Sequence, residues 1–197
     1  MMTIMTALAV GYLLGSIPFG LILAKAAGYG DIRKIGSGNI GTTNVLRTGN
    51  KKLALLTLIC DGGKGAAAAL LINYILGYDM ALVAGFAAVL GHLYPVWLKF
   101  KGGKGVATTL GTLLAVSPLV GALACLTWLV MAFTFKYSSL SALTAMLLSP
   151  VYAFFLIGYP NLTALCGILA LLVWIKHRAN IHRLVAGEEP KIGQKKK

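Results

Sequence analysis

Acidic residues are nearly missing from this chain of 197: Asp31, Asp61, Asp79, Glu188 and Glu189 are all there are, five against 18 lysines and arginines. So few carboxylates exclude a two-metal phosphotransferase, which needs several acidic ligands at one centre. Charged residues of either sign make up 12% of the sequence, about half of the ~25% usual in a soluble domain. Cysteine is scarce too. Cys60, Cys125 and Cys166 lie in or beside apolar runs with no CxxC spacing, so they read as buried free thiols and imply neither disulfides nor zinc. His177 and His182 are five apart, a poor spacing for two metal ligands on one helical face, and no metal is expected. HxxxxD, GxSxG and HExxH patterns are absent, which removes support from nucleophilic-enzyme and metal-catalysed readings.

What is present is apolar. Hydrophobic residues reach 58% and the mean hydropathy is +0.81, the composition of an integral membrane protein. The formal charge of +13 would point to nucleic acid in a soluble chain. Here the basic residues sit at the ends of apolar segments, where they report topology and anionic partners, and no nucleic-acid partner is expected. The length leaves room for one transmembrane domain over 1–197 and no separate soluble one. The N-terminus lacks a basic n-region and a small-residue cleavage site, so 4–24 reads as a retained helix, bent at Ser16 and Pro18.

Further helices are expected over 53–76, 80–98, 106–116, 119–135, 140–157 and 161–175. The second is interrupted by Asp61-Gly62-Gly63-Lys64-Gly65, where Asp61 and Lys64, three apart, can pair on one face. The third contains His92 and Pro95, and His92 reads as a structural residue or a lid. The fourth has only 11 residues, ~16 Å if helical against a core of ~30 Å. Charge decides whether it crosses. The segment 25–52 carries six basic residues, and the segment from 176 onward carries Lys176, Arg178, Arg183, Lys191, Lys195, Lys196 and Lys197. Both belong on the cytoplasmic side, which requires an even number of crossings between them. The expected fold is therefore all-α: seven transmembrane helices, N-terminus outside, C-terminus cytoplasmic, helix four short. The terminal lysine run reads as a solvated or membrane-touching tail.

On this topology the polar segments 25–52, 99–105, 136–139 and 176–197 share the cytoplasmic face. The first contains Gly36-Ser37-Gly38-Asn39-Ile40-Gly41-Thr42-Thr43-Asn44-Val45-Leu46-Arg47, neutral donors on a glycine-rich backbone followed by a planar cationic fork, a mixture suited to phosphate. Lys101-Gly102-Gly103-Lys104-Gly105 opens a helix, so backbone N–H groups, the positive dipole end and an ammonium converge. The same Gly-Gly-Lys-Gly tetrapeptide at 62–65 hints at a degenerate repeat. Ser138 and Ser139 either cap helix six or meet a ligand. A transfer reaction run by positioning and charge stabilisation, or transport of an anion, fits these segments. Short, uncharged outer links speak against transport.

These motifs, with Gly91-His92-Leu93-Tyr94-Pro95-Val96-Trp97 and His177-Arg178-Ala179-Asn180-Ile181-His182-Arg183-Leu184 followed by Gly187 and Glu189, closely resemble the bacterial acyl-phosphate:glycerol-3-phosphate acyltransferase (PlsY) family over nearly the whole chain. Two departures are Thr48 before Gly49, where leucine is expected, and Gly62-Gly63 in place of bulkier residues. The resemblance implies a multi-pass enzyme of the bacterial inner membrane, its active site facing the cytoplasm. It implies transfer of a fatty acyl group from acyl phosphate to the 1-hydroxyl of glycerol 3-phosphate, giving lysophosphatidic acid and inorganic phosphate, with no cofactor and no obligate protein partner beyond membrane lipid. It also implies Ser37, Arg47, Lys104, His177 and Asn180 as catalytic, and Gly38, Asn39, Thr43, Asn44, Gly102, Gly103, Gly105, Ser139 and Glu189 as substrate-binding. Acyl phosphate already carries a good leaving group, so no activated serine is needed. The expected division has the Ser37 and Lys104 loops holding acyl phosphate and Arg47, Ser139, His177 and Asn180 holding glycerol 3-phosphate. His177 is expected to donate to phosphate, while the substrate's own phosphate takes the proton.

Overall fold

A computed structural model of the protein describes residues 1–193. The Lys195–197 run read as a tail lies outside the described residues. All regular elements in the described part are helical. Pro18 has no N–H and biases Ile17 away from helical dihedrals, so the expected bend is a complete break between α1 (Met2–Gly15) and α2 (Phe19–Ala26). α3 (Thr42–Val45) is a single turn in the polar loop, and α4 (Lys51–Leu76) starts where Asn50 Oδ1 accepts the Leu53 N–H at 3.0 Å. α5 (Tyr78–Leu93) stops short of Pro95, so the helix expected over 80–98 ends at Leu93 and its remainder is a 3₁₀ turn, Val96–Leu98. α6 (Val106–Val116) is followed by α7 (Pro118–Phe135), which uses proline at its first position. α8 (Ser138–Tyr152) runs into a π turn, Ala153–Ile157; α9 (Pro160–Lys176) and α10 (Arg178–Val185) meet at a 65° bend.

Among the described residues, five segments are long and apolar enough to cross a membrane, six if the bent α9–α10 pair is one span, and α6 is a shorter apolar helix. The protein is thus an all-helical integral membrane protein with five to six candidate spans. Large apolar side chains stand on the outside, Phe133 at 80% exposure and Phe155 at 76%, as lipid-facing positions do.

Internal contacts divide the chain into two compact units, Met1–Val116 and the part from Ser117 onward. In the first, α1 lies along α5, and α4 packs on both α5 and α6. In the second, α8 packs between α7 and α9.

The expected interruption at 61–65 is not there: α4 runs through it unbroken. Its glycines serve packing. A Cβ at Gly65 would strike the Thr108 carbonyl and the Thr112 side chain, and one at Gly111 of α6 would strike the Gly62 backbone. Small residues let the two helix backbones meet, at a propensity cost of ~1 kcal/mol per glycine. The Gly-Gly-Lys-Gly at 62–65 is therefore a helix–helix seam, and the hinted repeat of an anion-binding turn does not exist. The expected Asp61–Lys64 pair does form, at 3.0 Å with both side chains 2% exposed.

Candidate active site

In the first unit the glycine-rich loop is built around Asn44. Its Nδ2 donates to the Ile32 carbonyl (2.7 Å), and its Oδ1 accepts from Ser37 N–H (3.0 Å) and Ser37 Oγ (3.3 Å). With Asn44 1% exposed, the side chain expected to touch substrate is the one that fixes Ser37 in place. Asn39 likewise turns inward, its Oδ1 accepting the Gly41 N–H at 2.8 Å just ahead of α3. Gly36 holds φ +56°, and a Cβ there would collide with Asn44 Oδ1 and the Arg47 side chain, so Arg47 lies folded against the Ser37 turn. Beneath the loop Ile32, Ile40 and Val45 are buried against Leu21 and Ala24 of α2 and Leu53 and Ala54 of α4. The apolar floor holds the polar rim.

Arg33 is a second fork in the same region, but Asp31 occupies it. Nε is 2.9 and 3.1 Å from the two carboxylate oxygens and Nη2 is 2.6 Å from Oδ2. Hydrogen bonding to Arg33 holds the Asp31 carboxyl well below the usual carboxylate range. Arg47 is the guanidinium left for a ligand.

The second loop of this unit, 99–105, is anchored to the end of α5. Gly103 N–H donates to the His92 carbonyl (3.0 Å) and Gly102 N–H to the Leu93 carbonyl (3.3 Å). These two amides, expected to cradle a phosphate, are spent on the fold. What the loop can offer an anion starts at half-buried Lys104 and continues through Gly105, at φ +85°, into the first turn of α6.

In the second unit Glu189 collects the expected residues. Ser139 Oγ donates to its Oε1 at 2.7 Å, Asn180 Nδ2 to the same oxygen at 2.5 Å, and Arg183 Nε to Oε2 at 2.7 Å. Burial opposes the charged carboxylate, but the hydrogen bonds from Asn180, Ser139 and Arg183 outweigh it and hold the Glu189 carboxyl below its ordinary value. The tail is tied down further on, where Ile192 N–H donates to the Lys136 carbonyl at 2.7 Å. Ser139 therefore spends its hydroxyl proton on a carboxylate fifty residues away; the cap of α8 offered by sequence is not its role. Arg183 was missed in the sequence because its partner, six residues on, lies past the end of α10, where helical periodicity carries no information.

His177 sits in the elbow between α9 and α10, 3% exposed. Its backbone carbonyl accepts from Asn180 and Ile181 N–H, which starts α10, and its Nδ1 is 2.8 Å from the Val173 carbonyl. A carbonyl can only accept, so Nδ1 carries a proton. The neutral ring is then left with a lone pair at Nε2, a proton acceptor; it can donate there only when charged. The phosphate-donor role expected for His177 therefore belongs to the charged ring.

Each unit thus holds ordered hydrogen-bonding groups next to cations: Ser37 faces an amide and Ser139 a carboxylate already engaged by two other donors. Such a set can bind phosphate, orient a hydroxyl and take up its proton. The family model for glycerol-3-phosphate acyltransferase matches residues 5–187. The chain is 60% identical to a glycerol-3-phosphate acyltransferase of Paramagnetospirillum magneticum over 198 residues, covering all of this chain and 98% of that one. It is similar to crystal structures of PlsY, an integral membrane glycerol 3-phosphate acyltransferase, in its glycerol 3-phosphate form (41% identity, 96% of each chain, TM-score 0.90) and its lysophosphatidic acid form (40% identity, 96% and 95%, TM-score 0.88). Extent, identity and fold agree, and the chain belongs to the glycerol-3-phosphate acyltransferase family.

Proposed function

We propose that this membrane glycerol-3-phosphate acyltransferase, which forms lysophosphatidic acid, takes its acyl group from an acyl phosphate and needs neither coenzyme A nor a metal. The observation that carries this reading is the arrangement of Ser139, Asn180 and Arg183 on the Glu189 carboxylate in a chain of this family. These groups are tied to one another by hydrogen bonds, and fixed groups are what a reaction run by positioning requires. The glycerol 1-hydroxyl oxygen attacks the acyl carbonyl; a C–O ester bond forms and the bond from the carbonyl carbon to the phosphate oxygen breaks. Inorganic phosphate leaves with its electron pair. The hydroxyl proton passes to Nε2 of His177, which neutral imidazole with Nδ1–H presents as an acceptor, and from there to the departing phosphate. The family motifs in the sequence assign Ser37, Lys104, Gly105 and the first turn of α6 to the acyl phosphate, and Arg47 and Asn180 to the phosphate of glycerol 3-phosphate.

The same reading gives seven crossings, with α6 as the short fourth and the polar segments on the cytoplasmic face of a bacterial inner membrane. An even number of crossings between the basic segments 25–52 and 176 onward supports it. The test of the donor is direct: purified protein in detergent with palmitoyl phosphate and glycerol 3-phosphate releases inorganic phosphate and lysophosphatidic acid in equal amounts without coenzyme A. Product formed only from acyl-CoA or acyl carrier protein would overturn the donor assignment.

A further inference from the structure

Three buried ionisable side chains of the first unit have no place in the chemistry above. The Asp61 and Lys64 side chains are 2% exposed and that of His92 4%. Lys64 Nζ lies 3.0 Å from Asp61 Oδ1 and donates at 2.8 Å to the Ile17 carbonyl, in the break between α1 and α2. On the other side of the carboxylate, Asp61 Oδ1 is 3.7 Å from His92 Nδ1. His92 in turn abuts the Lys104 loop. Its carbonyl receives the Gly103 N–H, and its ring fills the space that a Cβ at Gly103 would need, with Nε2 nearest. A polar column therefore runs from the α1–α2 break through Lys64, Asp61 and His92 to the loop that carries Lys104.

An ion pair buried this deeply is a poor source of stability, since well-packed apolar residues of similar volume usually do as well or better. Its presence here calls for a positional reason. Asp61 supplies one: a carboxylate facing Nδ1 favours a proton there and fixes which edge of the imidazole turns to the loop. The 3.7 Å separation is too long for a hydrogen bond and short enough for strong electrostatic orientation in a site closed to water. Gly103 has no side chain because the ring must lie against its backbone.

We infer that Asp61, acting through His92, is a positioning device for the Lys104 loop, holding it in the conformation that binds the anionic headgroup of the acyl donor. Neither residue touches substrate. The choice of donor over acceptor rests on the reading that the Lys104 loop holds acyl phosphate, and the experiment separates the two claims. Dissociation constants are measured for palmitoyl phosphonate, a non-hydrolysable donor analogue, and for glycerol 3-phosphate, on wild type, Lys104→Gln, His92→Leu, Asp61→Asn and the Asp61→Asn/His92→Leu double variant, with thermal midpoints alongside. His92→Leu and Asp61→Asn are each expected to weaken the phosphonate at least tenfold, as Lys104→Gln does, and to change glycerol 3-phosphate by less than twofold. In the His92→Leu background Asp61→Asn should add less than twofold, because its route to the loop is gone. If one single variant does not fold, the other decides. Should Lys104→Gln weaken glycerol 3-phosphate instead, the donor reading falls, and the device stands if the other variants follow Lys104. Unchanged binding in His92→Leu, equal loss of both ligands, or additive effects in the double variant would overturn it.

Discussion

Glu189 receives three donors, Ser139, Asn180 and Arg183, on two oxygens. A carboxamide of the same shape has only one accepting end, so Glu189→Gln must leave at least one donor unpaired. Hydrogen bonds to a charged group contribute about 1.5–3 kcal/mol, so kcat/KM for glycerol 3-phosphate should fall by about ten- to a hundredfold; steady-state phosphate release measures it. Because folding lowers this carboxyl's pKa, its contribution to stability is complete above the unfolded value of about 4.3 and drains away as pH falls through the lower folded value. Thermal midpoints in detergent should decline in wild type below about pH 4, with a smaller decline in Glu189→Gln. At His177 the protonated Nδ1 leads to a kinetic expectation. His177→Gln should reduce kcat by about a hundredfold or more, the range of general-base effects, while KM for glycerol 3-phosphate stays within threefold. Retained kcat with a raised KM would return the proton to the substrate phosphate and make His177 a binding residue.

Among the elements, α4 and α6 show how glycine position decides consequence. Gly111 of α6 meets the Gly62 backbone with no side chain between them, and any Cβ would have to displace a main chain. Gly63, one residue further along α4, has nothing within 4 Å of its would-be Cβ. Gly111→Val should therefore lower stability by about 1–3 kcal/mol through overpacking. Gly63→Ala should be neutral or stabilising by up to about 1 kcal/mol through helix propensity. Thermal midpoints of the two variants in one detergent check the contrast, and equal midpoints would refute the seam. The α9–α10 elbow follows a different logic. There the helix stops at His177, whose carbonyl opens α10 and whose ring is tied to the last turn of α9. Residues three apart, His177 and Asn180, thus stay close without sharing a continuous helix.

For the molecule as a whole, the proposed seven crossings would put 25–52 and the segment after α10 on one side of the membrane. Single cysteines at Lys34 and Lys191, in a background where Cys60, Cys125 and Cys166 are replaced by serine, should react with a membrane-impermeant maleimide only after spheroplasts are opened. A cysteine at Tyr159, in the uncharged link that this topology places outside, should react from outside. Labelling of Lys34→Cys and Lys191→Cys from opposite sides would leave an odd number of crossings between them and remove α6 from the count.

Composition alone determined the class of protein, because 58% apolar residues with so few charges can only be solvated by lipid or by one another. Local chemistry also placed the breaks at Pro18 and Ser117, the polar segments and the motifs that mark the family, since proline, glycine and charge act within a few residues of where they stand. Roles depended on tertiary structure. The tetrapeptide at 62–65 and the one at 102–105 are identical in sequence, yet one is a helix interior facing Gly111 and the other a loop pinned to His92. Asn44, expected to face a ligand, orders Ser37, and the Glu189 carboxylate gathers a serine fifty residues before it. The reason is physical: a buried polar group needs a partner, and which partner reaches it is set by packing between distant segments, a relation that no periodicity along the chain encodes.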